Sequence, residues 1–478
     1  MAEVKPLVLD VDGTLLKTDL LFESFWAGLG QKPFETLKIV ARSFGNLAEL
    51  KRELADLVDM RLDLMPTNPD ILRLAQENTA NGREVILASA SDQALVRDLA
   101  THYDLSKEVL ASDGTVNLKS ERKAAALVER FGVRGFDYAG NSRDDFAVWT
   151  EAENAIVVGK AAGAEAKLSA KGQNVTAVSG GWRKRDLIRA LRPHQWVKNV
   201  LLFLPMLAAH QFNLSTLFAV IWGMVAFSAA ASCIYIVNDL LDLEADRLHA
   251  TKHKRPFASG AVPIQVGMAA CLACGLVAVG VATSLNLSFL AIIILYMLTS
   301  LTYSLRWKRM RWIDIATLAS LYTVRVVGGA AATSVYVSGY MLVFVFPIFI
   351  SLGCVKRLTE LTLATSDDAL PGRGYARRDR GDLLNFAWIG MVGALVTFLL
   401  YSFTPQAIEL YPTRWMLWAA MVPIGMWLLR MIRLGWFGKQ DHDPIVFALR
   451  DKRGLGLLLL ILSMMLYAAG LWQEWFGF

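Results

Sequence analysis

Apolar stretches long enough to cross a lipid bilayer recur in this chain from about residue 195 onward. A hydrocarbon core about 30 Å thick takes roughly 20 residues of helix. Backbone placed there must satisfy its own N–H and C=O groups, so the stretches are predicted to be helices. About nine are expected, over residues 196–210, 214–236, 262–283, 287–305, 312–333, 338–356, 384–403, 412–430 and 455–472. Before residue 195 the chain mixes charge with short apolar runs such as Leu7-Val8-Leu9 and Val85-Ile86-Leu87, which fit buried strands. The overall 54% of hydrophobic residues is therefore unevenly spread. The expected organisation is a doubly wound α/β domain over 1–180, a basic interfacial linker over 181–195 and an all-α membrane domain over 196–478.

The connections carry an orientation signal. Lys and Arg gather at Arg247, Lys252, Lys254 and Arg255, at Arg306, Lys308, Arg309 and Arg311, across 356–380 and across 433–453, whereas the turns near 211–213, 284–286 and 334–337 have neither. The positive-inside bias then predicts a multi-pass protein of the inner membrane with its N-terminus in the cytoplasm and its C-terminus on the opposite side. Asp10 and Asp12 interrupt the only early apolar run, so no cleavable leader is expected. The formal charge of +6 is accounted for by inner-face retention and anionic membrane lipids, with no nucleic acid required. All four cysteines, Cys233, Cys271, Cys274 and Cys354, fall in membrane segments. Cys271 and Cys274 have a metal-pair spacing but no second pair or nearby histidine, so they read as small packed side chains.

Two carboxylate-rich motifs carry the chemistry. The first is Asp10-Val11-Asp12-Gly13-Thr14, followed by Ser89 after a strand, by Lys123 and by the run Gly140-Asn141-Ser142-Arg143-Asp144-Asp145. In an α/β sheet, strand ends gather such distant residues at one crevice. Over roughly residues 5–180 these four ordered motifs resemble those of the haloacid dehalogenase-like hydrolases. The resemblance implies that Asp10 attacks phosphorus and Asp12 acts as general acid/base. It also implies that Thr14, Ser89 and Lys123 hold phosphoryl oxygens, that Asp10, Asp12, Asn141 and Asp145 hold Mg2+, and that a helical cap occupies about residues 19–75. Asn141 departs from the family pattern, which more often has Asp there.

The second motif follows an apolar run: Asn238-Asp239-Leu240-Leu241-Asp242-Leu243-Glu244-Ala245-Asp246. Asp239, Asp242 and Asp246 are spaced by three and four residues, so one helical face can present all three carboxylates, with Asn238 adding an oxygen. Such a cluster repels itself unless cations compensate. Mg2+ bridging to a diphosphate, with Lys254 and Arg255 covering the remaining charge, meets that need; the plainer reading is a solvated acidic-basic loop. Tyr303, Lys308, Asp314 and Arg325 form a further polar set on the inner side.

Residues 190–478 resemble the UbiA-like membrane transferases, and more narrowly their decaprenyl-phosphate phosphoribosyltransferase branch. The resemblance rests on the run from Arg192 through Trp196 and Lys198 to Asn199, on Asn238 to Asp246 with Arg255-Pro256-Phe257-Ala258-Ser259-Gly260, on Tyr303-Ser304 to Lys308 with Asp314, and on Asp443-Pro444. A second aspartate-rich motif, usual in aromatic prenyltransferases of that superfamily, is reduced here to Asp314. The resemblance implies a Mg2+-dependent enzyme of cell-envelope biosynthesis that takes phosphoribosyl diphosphate as donor and polyprenyl phosphate as acceptor. Asp239, Asp242 and Asp246 would hold the metal, and Lys198, Arg255, Lys308, Arg325, Lys356 and Arg357 would clamp phosphates. The fused first domain is expected to remove the ribose 5-phosphate. Prenyl transfer to an aromatic acceptor, and a membrane scaffold or transporter with a degenerate phosphatase domain, are the alternatives.

Overall fold

The computed structural model describes residues 4–159, 163–336, 338–364, 367, 373–440 and 443–477. The inner loop expected over 356–380, the basic stretch over 433–453, the turn near 334–337 and the linker region from residue 160 lie partly outside these described residues. The chain forms two compact units, and neither is continuous in sequence: residues 1–191 join 235–271, and 192–234 join 272–478.

In the first unit the order is β1 (Leu7–Leu9), α1 (Leu20–Gln31), α2 (Pro33–Arg42), α3 (Leu47–Leu57), α4 (Pro69–Ala80), β2 (Val85–Asp92), α5 (Gln93–His102) and β3 (Val109–Ser112). Then follow α6 (Glu121–Phe131), β4 (Asp137–Gly140), α7 (Phe146–Glu151), β5 (Asn154–Val158), α8 (Ala164–Ala170), β6 (Asn174–Val178) and α9 (Lys184–Leu191). The strands make one parallel sheet in the order β3-β2-β1-β4-β5-β6. Parallel strands need crossovers, which place helices on both faces, so each strand must be apolar on both sides. β1 meets that demand: Leu7 and Leu9 enter one core with Leu87 and Val96, while Val8 between them enters the other with Tyr138, Trp149 and Val157. The strand order reverses at β1, where the chain crosses to β2 on one side and β4 on the other, and a crevice opens beyond the strand ends at such a point. α1, α2 and α3 form a helical insertion after β1, where the cap is expected.

The membrane-type helices are α11 (Leu214–Leu241), α13 (Ile264–Leu285), α14 (Leu287–Leu305), α15 (Ile313–Thr333), α16 (Gly339–Leu363), α17 (Arg380–Tyr401) and α19 (Arg414–Trp436); shorter helices are α10 (Phe203–Ala208), α12 (Leu243–Leu248), α18 (Pro405–Leu410), α20 (Pro444–Ala448), α21 (Lys452–Ala468) and α22 (Leu471–Phe476). Seven helices among the described residues are long and apolar enough to span a bilayer, against the nine expected. The region expected as the first span is instead a 3-10 helix, Pro193–Leu202, leading into the short α10. It carries Trp196, Lys198 and Asn199, which make polar contacts, and prolines at 193 and 205 that lack a backbone donor. α21, the expected ninth span, has 17 residues and a rise of only about 25 Å.

The most enclosed of these helices is α15, two-thirds of whose span is buried. Gly328 and Gly329 allow that enclosure. A side chain at Gly328 would meet the Phe227 ring at 2.6 Å, and one at Gly329 would meet the Leu202 carbonyl oxygen at 2.2 Å. Since the latter obstacle is backbone, Gly329→Ala is expected to force the 3-10 segment off α15. The expected cost is about 1–3 kcal/mol, read as a lowered melting temperature of the purified protein; an unchanged value would count against this close approach.

Candidate functional site

In the first unit the end of β1 delivers Asp10 to the crevice. Its Oδ1 accepts from the Lys123 ammonium at 2.8 Å and its Oδ2 from the Thr14 hydroxyl at 3.1 Å. Lys123, projecting from α6, also donates to the Tyr138 hydroxyl at 2.9 Å and lies 3.5 Å from Asp145 Oδ1. Burial pushes the Asp10 carboxyl up to about 7; the Lys123 ammonium opposes the rise, and the charges of Asp145 and Asp12 add to it. For Lys123 burial works downward, but Asp10 and Asp145 outweigh it and raise the ammonium.

Asp12 faces the other wall. Its Oδ2 accepts from Ser89 at 3.1 Å and Ser91 at 2.6 Å, and its Oδ1 accepts from the Leu20 backbone N–H at 2.8 Å, at the start of α1. Asp145 Oδ2 accepts from the backbone N–H groups of Asn141 and Ser142 and from the Ser142 hydroxyl, so it fixes the turn that follows β4. The Asn141 amide lies against Gly13, whose φ of +78° and lack of a side chain admit it; a Cβ there would sit 2.0 Å from Asn141 Nδ2. The expected residues Asp10, Asp12, Thr14, Ser89, Lys123, Asn141 and Asp145 are thus brought to one strand-end region. Sequence reasoning missed Ser91, Tyr138 and Lys51. Ser91 shares a strand face with Ser89, a period-two signal that was there to use. Tyr138 gave no sign beyond its place in an apolar run. Lys51, from α3, donates to the Ala90 carbonyl at 2.6 Å and to Asn117 Oδ1 at 3.0 Å, and burial lowers its ammonium.

The acidic segment also belongs to the first unit. The expected single helical face is interrupted once: α11 ends at Leu241, and Asp242, with φ −101° and ψ 16°, leads into α12. The helical bonding pattern nevertheless carries across, Asp242 N–H donating to Asn238 O at 3.0 Å and Asp246 N–H to Asp242 O at 2.8 Å. Asp239 and Asp246, each 2% exposed, converge on Arg255 Nη1 at 3.1 and 2.6 Å. Burial raises the Asp246 carboxyl, with Arg255 opposing. Asp242 is half-buried between them, and Lys254 is exposed.

In the second unit Asp314 is fully buried. It accepts from Arg357 at 2.6 and 2.8 Å and from the Tyr303 hydroxyl at 2.9 Å, with Arg373 3.5 Å away. Arg357 also pairs with Glu360. Arg325 donates to Asn199, to the Leu321 carbonyl and to the Tyr296 hydroxyl. Arg325 and Arg357 thus make several of their hydrogen bonds to groups inside the protein. A separate cluster joins Lys198, 2.6 Å from Asp443, with Lys356 at 4.0 Å and the Tyr322 hydroxyl at 3.0 Å from the same carboxylate. Tyr322 was missed in the sequence because its hydroxyl is hidden in an apolar helix. Lys308 sits half-buried in the short turn after α14. A mostly apolar cavity of about 480 Å³ is lined by Leu201, Met341, Phe349, Leu352, Ile445 and Leu462, among others.

Among the described residues no group of three or more His, Cys, Asp or Glu side chains is arranged to hold a metal ion. The donor types still suit Mg2+, which prefers oxygen ligands. In the acidic segment the Asn238 side-chain oxygen is buried with no hydrogen-bond partner, beside Asp239.

Residues 200–451 match the UbiA prenyltransferase family. Uncharacterized protein y4nM of Sinorhizobium fredii is 34% identical over 96% of this chain and 90% of its own length. A decaprenyl-phosphate phosphoribosyltransferase of Mycobacterium tuberculosis is 32% identical over 56% of this chain and 88% of its own. A solved UbiA homolog from Archaeoglobus fulgidus, bound to GPP and Mg2+, covers 60% of this chain and 99% of its own at 14% identity and a TM-score of 0.46.

Asp443 provides a pH signature. Burial alone would raise its carboxyl, but Lys198 and Lys356 outweigh burial and hold it below the ordinary carboxylate range. A carboxyl depressed in the folded state contributes stability above its unfolded pKa of about 3.9, and that contribution is lost as pH falls through the folded value. The difference in melting temperature between the wild type and Asp443→Asn is expected to hold steady from about pH 7 to pH 5 and to shrink below about pH 4. A difference that shrank already near neutrality would refute the pairing.

Proposed function

We propose that this chain, which belongs to the UbiA prenyltransferase family, transfers a 5-phosphoribosyl group from phosphoribosyl diphosphate to a polyprenyl phosphate at the membrane. The observation that carries the reading is the acidic segment, where Asp239 and Asp246 are drawn together by Arg255 beside Asp242 and the unpartnered Asn238 oxygen. Kinship with an enzyme named decaprenyl-phosphate phosphoribosyltransferase supports transfer of a phosphoribosyl group to a polyprenyl phosphate.

The chemistry needs little acid–base help. An oxygen of the lipid phosphate, already ionised near neutral pH, forms a bond to the anomeric carbon while the bond from that carbon to the diphosphate breaks. Asp239, Asp242 and Asp246, with Asn238 adding an oxygen, would hold Mg2+, which would supply charge to the departing diphosphate. Arg255 keeps the carboxylates together and, with Lys254, adds positive charge at the same segment. In the second unit, Lys198 and Lys356 both lie beside Asp443, a basic pair suited to a lipid phosphate. Leu201, Leu352 and Ile445, a few residues away in sequence, line the apolar cavity that would take the polyprenyl chain. The N-terminal domain and the basic 247–255 segment, joined through Glu23 and Arg247, are both assigned to the cytoplasmic side by the positive-inside bias.

For the first domain the proposal is a haloacid dehalogenase-like phosphatase that removes the 5-phosphate from the lipid product. The bonding of Asp10 to Lys123 and Thr14 supports it: the carboxylate is buried and held by a cation, as a nucleophile toward a phosphate monoester must be. Asp12, bonded to Ser89 and Ser91, stands as the acid/base. Asp10, Asp12, Asn141 and Asp145 would hold its Mg2+.

Two substitutions separate the steps. Asp239→Asn or Asp242→Asn is expected to lower sugar transfer at least about a hundredfold with membrane insertion intact. Turnover of labelled phosphoribosyl diphosphate with polyprenyl phosphate and Mg2+ measures it, and undiminished turnover would refute the assignment. Asp10→Asn is expected to leave phosphoribosyl-lipid formation unchanged and to abolish its dephosphorylated form. Lipid mass spectrometry follows the missing phosphate, and wild-type protein that never removes it would end the two-step scheme.

A further inference from the structure

The acidic segment is built against the α/β domain within one compact unit. Arg247, next in sequence to Asp246, places Nη2 2.5 Å and Nη1 3.2 Å from the two carboxylate oxygens of Glu23 in the first turn of α1. The pair is enclosed, with side chains 8% and 5% exposed. Arg247 Nε donates to the Ala258 carbonyl at 3.2 Å, and the Thr18 hydroxyl donates to Glu23 Oε1 at 2.6 Å. One guanidinium thus joins α1, α12 and the turn that carries Arg255.

Three other contacts agree. Gln265 donates to Asp19 Oδ2 at 2.9 Å, at the N-cap of α1. Trp26 on α1 is buried in an apolar cluster with Ile236, Leu240, Leu243 and Phe257. Gly260, at φ +68°, approaches Lys17 so closely that a Cβ there would lie 2.6 Å from the Lys17 Cβ.

We propose that Glu23 is a positioning residue for the donor site: its carboxylate fixes Arg247, and through α12 and the 255–260 turn it keeps Asp246 and Arg255 in register with Asp239. The α/β domain is then a working part of the transferase, whatever chemistry Asp10 performs. The kinetic consequence rests on the phosphoribosyl-transfer reading; the structural one does not. A bidentate guanidinium–carboxylate pair fixes orientation as well as distance, and removing one partner strands a buried charge.

The test uses the full-length protein in lipid nanodiscs, as wild type, Glu23→Gln, Arg247→Gln and the double variant. Hydrogen exchange of backbone amides in residues 243–262 is expected to quicken in both single variants and no further in the double, because coupled partners are not additive. Residues 85–92 of the central sheet should stay protected. The KM for phosphoribosyl diphosphate is expected to rise about tenfold with kcat changed by less than about twofold. Unchanged exchange in 243–262, additive effects in the double variant, or equal loosening of 85–92 would overturn the proposal. If the wild type transfers no phosphoribosyl group while the exchange pattern appears as expected, the functional reading fails and the positioning role stands.

Discussion

A carboxylate taken out of water must find a cation, and this constraint organises the polar regions of the protein. Asp10 is met by Lys123, Glu23 by Arg247, Asp239 and Asp246 by Arg255, Asp314 by Arg357 and Asp443 by Lys198. Each pair joins elements that the chain reaches separately, so the pairs fix register between helices as well as neutralising charge. Buried pairs of this kind are weak sources of net stability, because desolvation consumes most of the attraction. Their value is that alternatives leave a charge stranded. The compensation is incomplete at Asp10, where burial outruns the lysine, and such a mismatch is a mark of functional sites.

The two kinds of polar site differ in how they were legible. At the α/β crevice Asp10, Ser89 and Asp145 lie at or after strand ends, which a parallel sheet brings together whatever the loop lengths, and Lys123 reaches them from α6. These four were named from the sequence by their resemblance to an ordered set of family motifs. In the helical region the spacing of Asp239 and Asp246 yields two carboxylates that meet at Arg255, since helical bonding survives the irregularity at Asp242. Arg255 was named beside them, but its pairing with both Asp239 and Asp246 was not legible, because periodicity does not say which carboxylates a guanidinium reaches. Arg325 and Arg357, read as clamps from sequence, also hold Asn199, Tyr296, Asp314 and Glu360, contacts that no periodicity announces.

Two of the nine expected spans have no long apolar helix among the described residues, for a physical reason. Hydropathy counts side chains, whereas a span must also be a continuous helix of sufficient rise. Residues 193–208 meet the first test but are divided between a 3-10 helix and a short α-helix. The segment between Arg192 and Leu202 instead lies along α15, where Gly329 gives it room, and it carries Lys198 and Asn199 to polar partners.

The separation between Glu23 and Arg247, 224 residues along the chain, has a consequence for biogenesis. A ribosome adding roughly 5–20 residues each second finishes α1 on the order of ten to forty-five seconds before Arg247 exists. During that interval Trp26 has none of Ile236, Leu240, Leu243 or Phe257 to cover it. The nascent domain thus waits with an apolar face open until the end of α11 and the segment after it have been made, an interval in which a chaperone, or a second nascent chain, competes for the same surface.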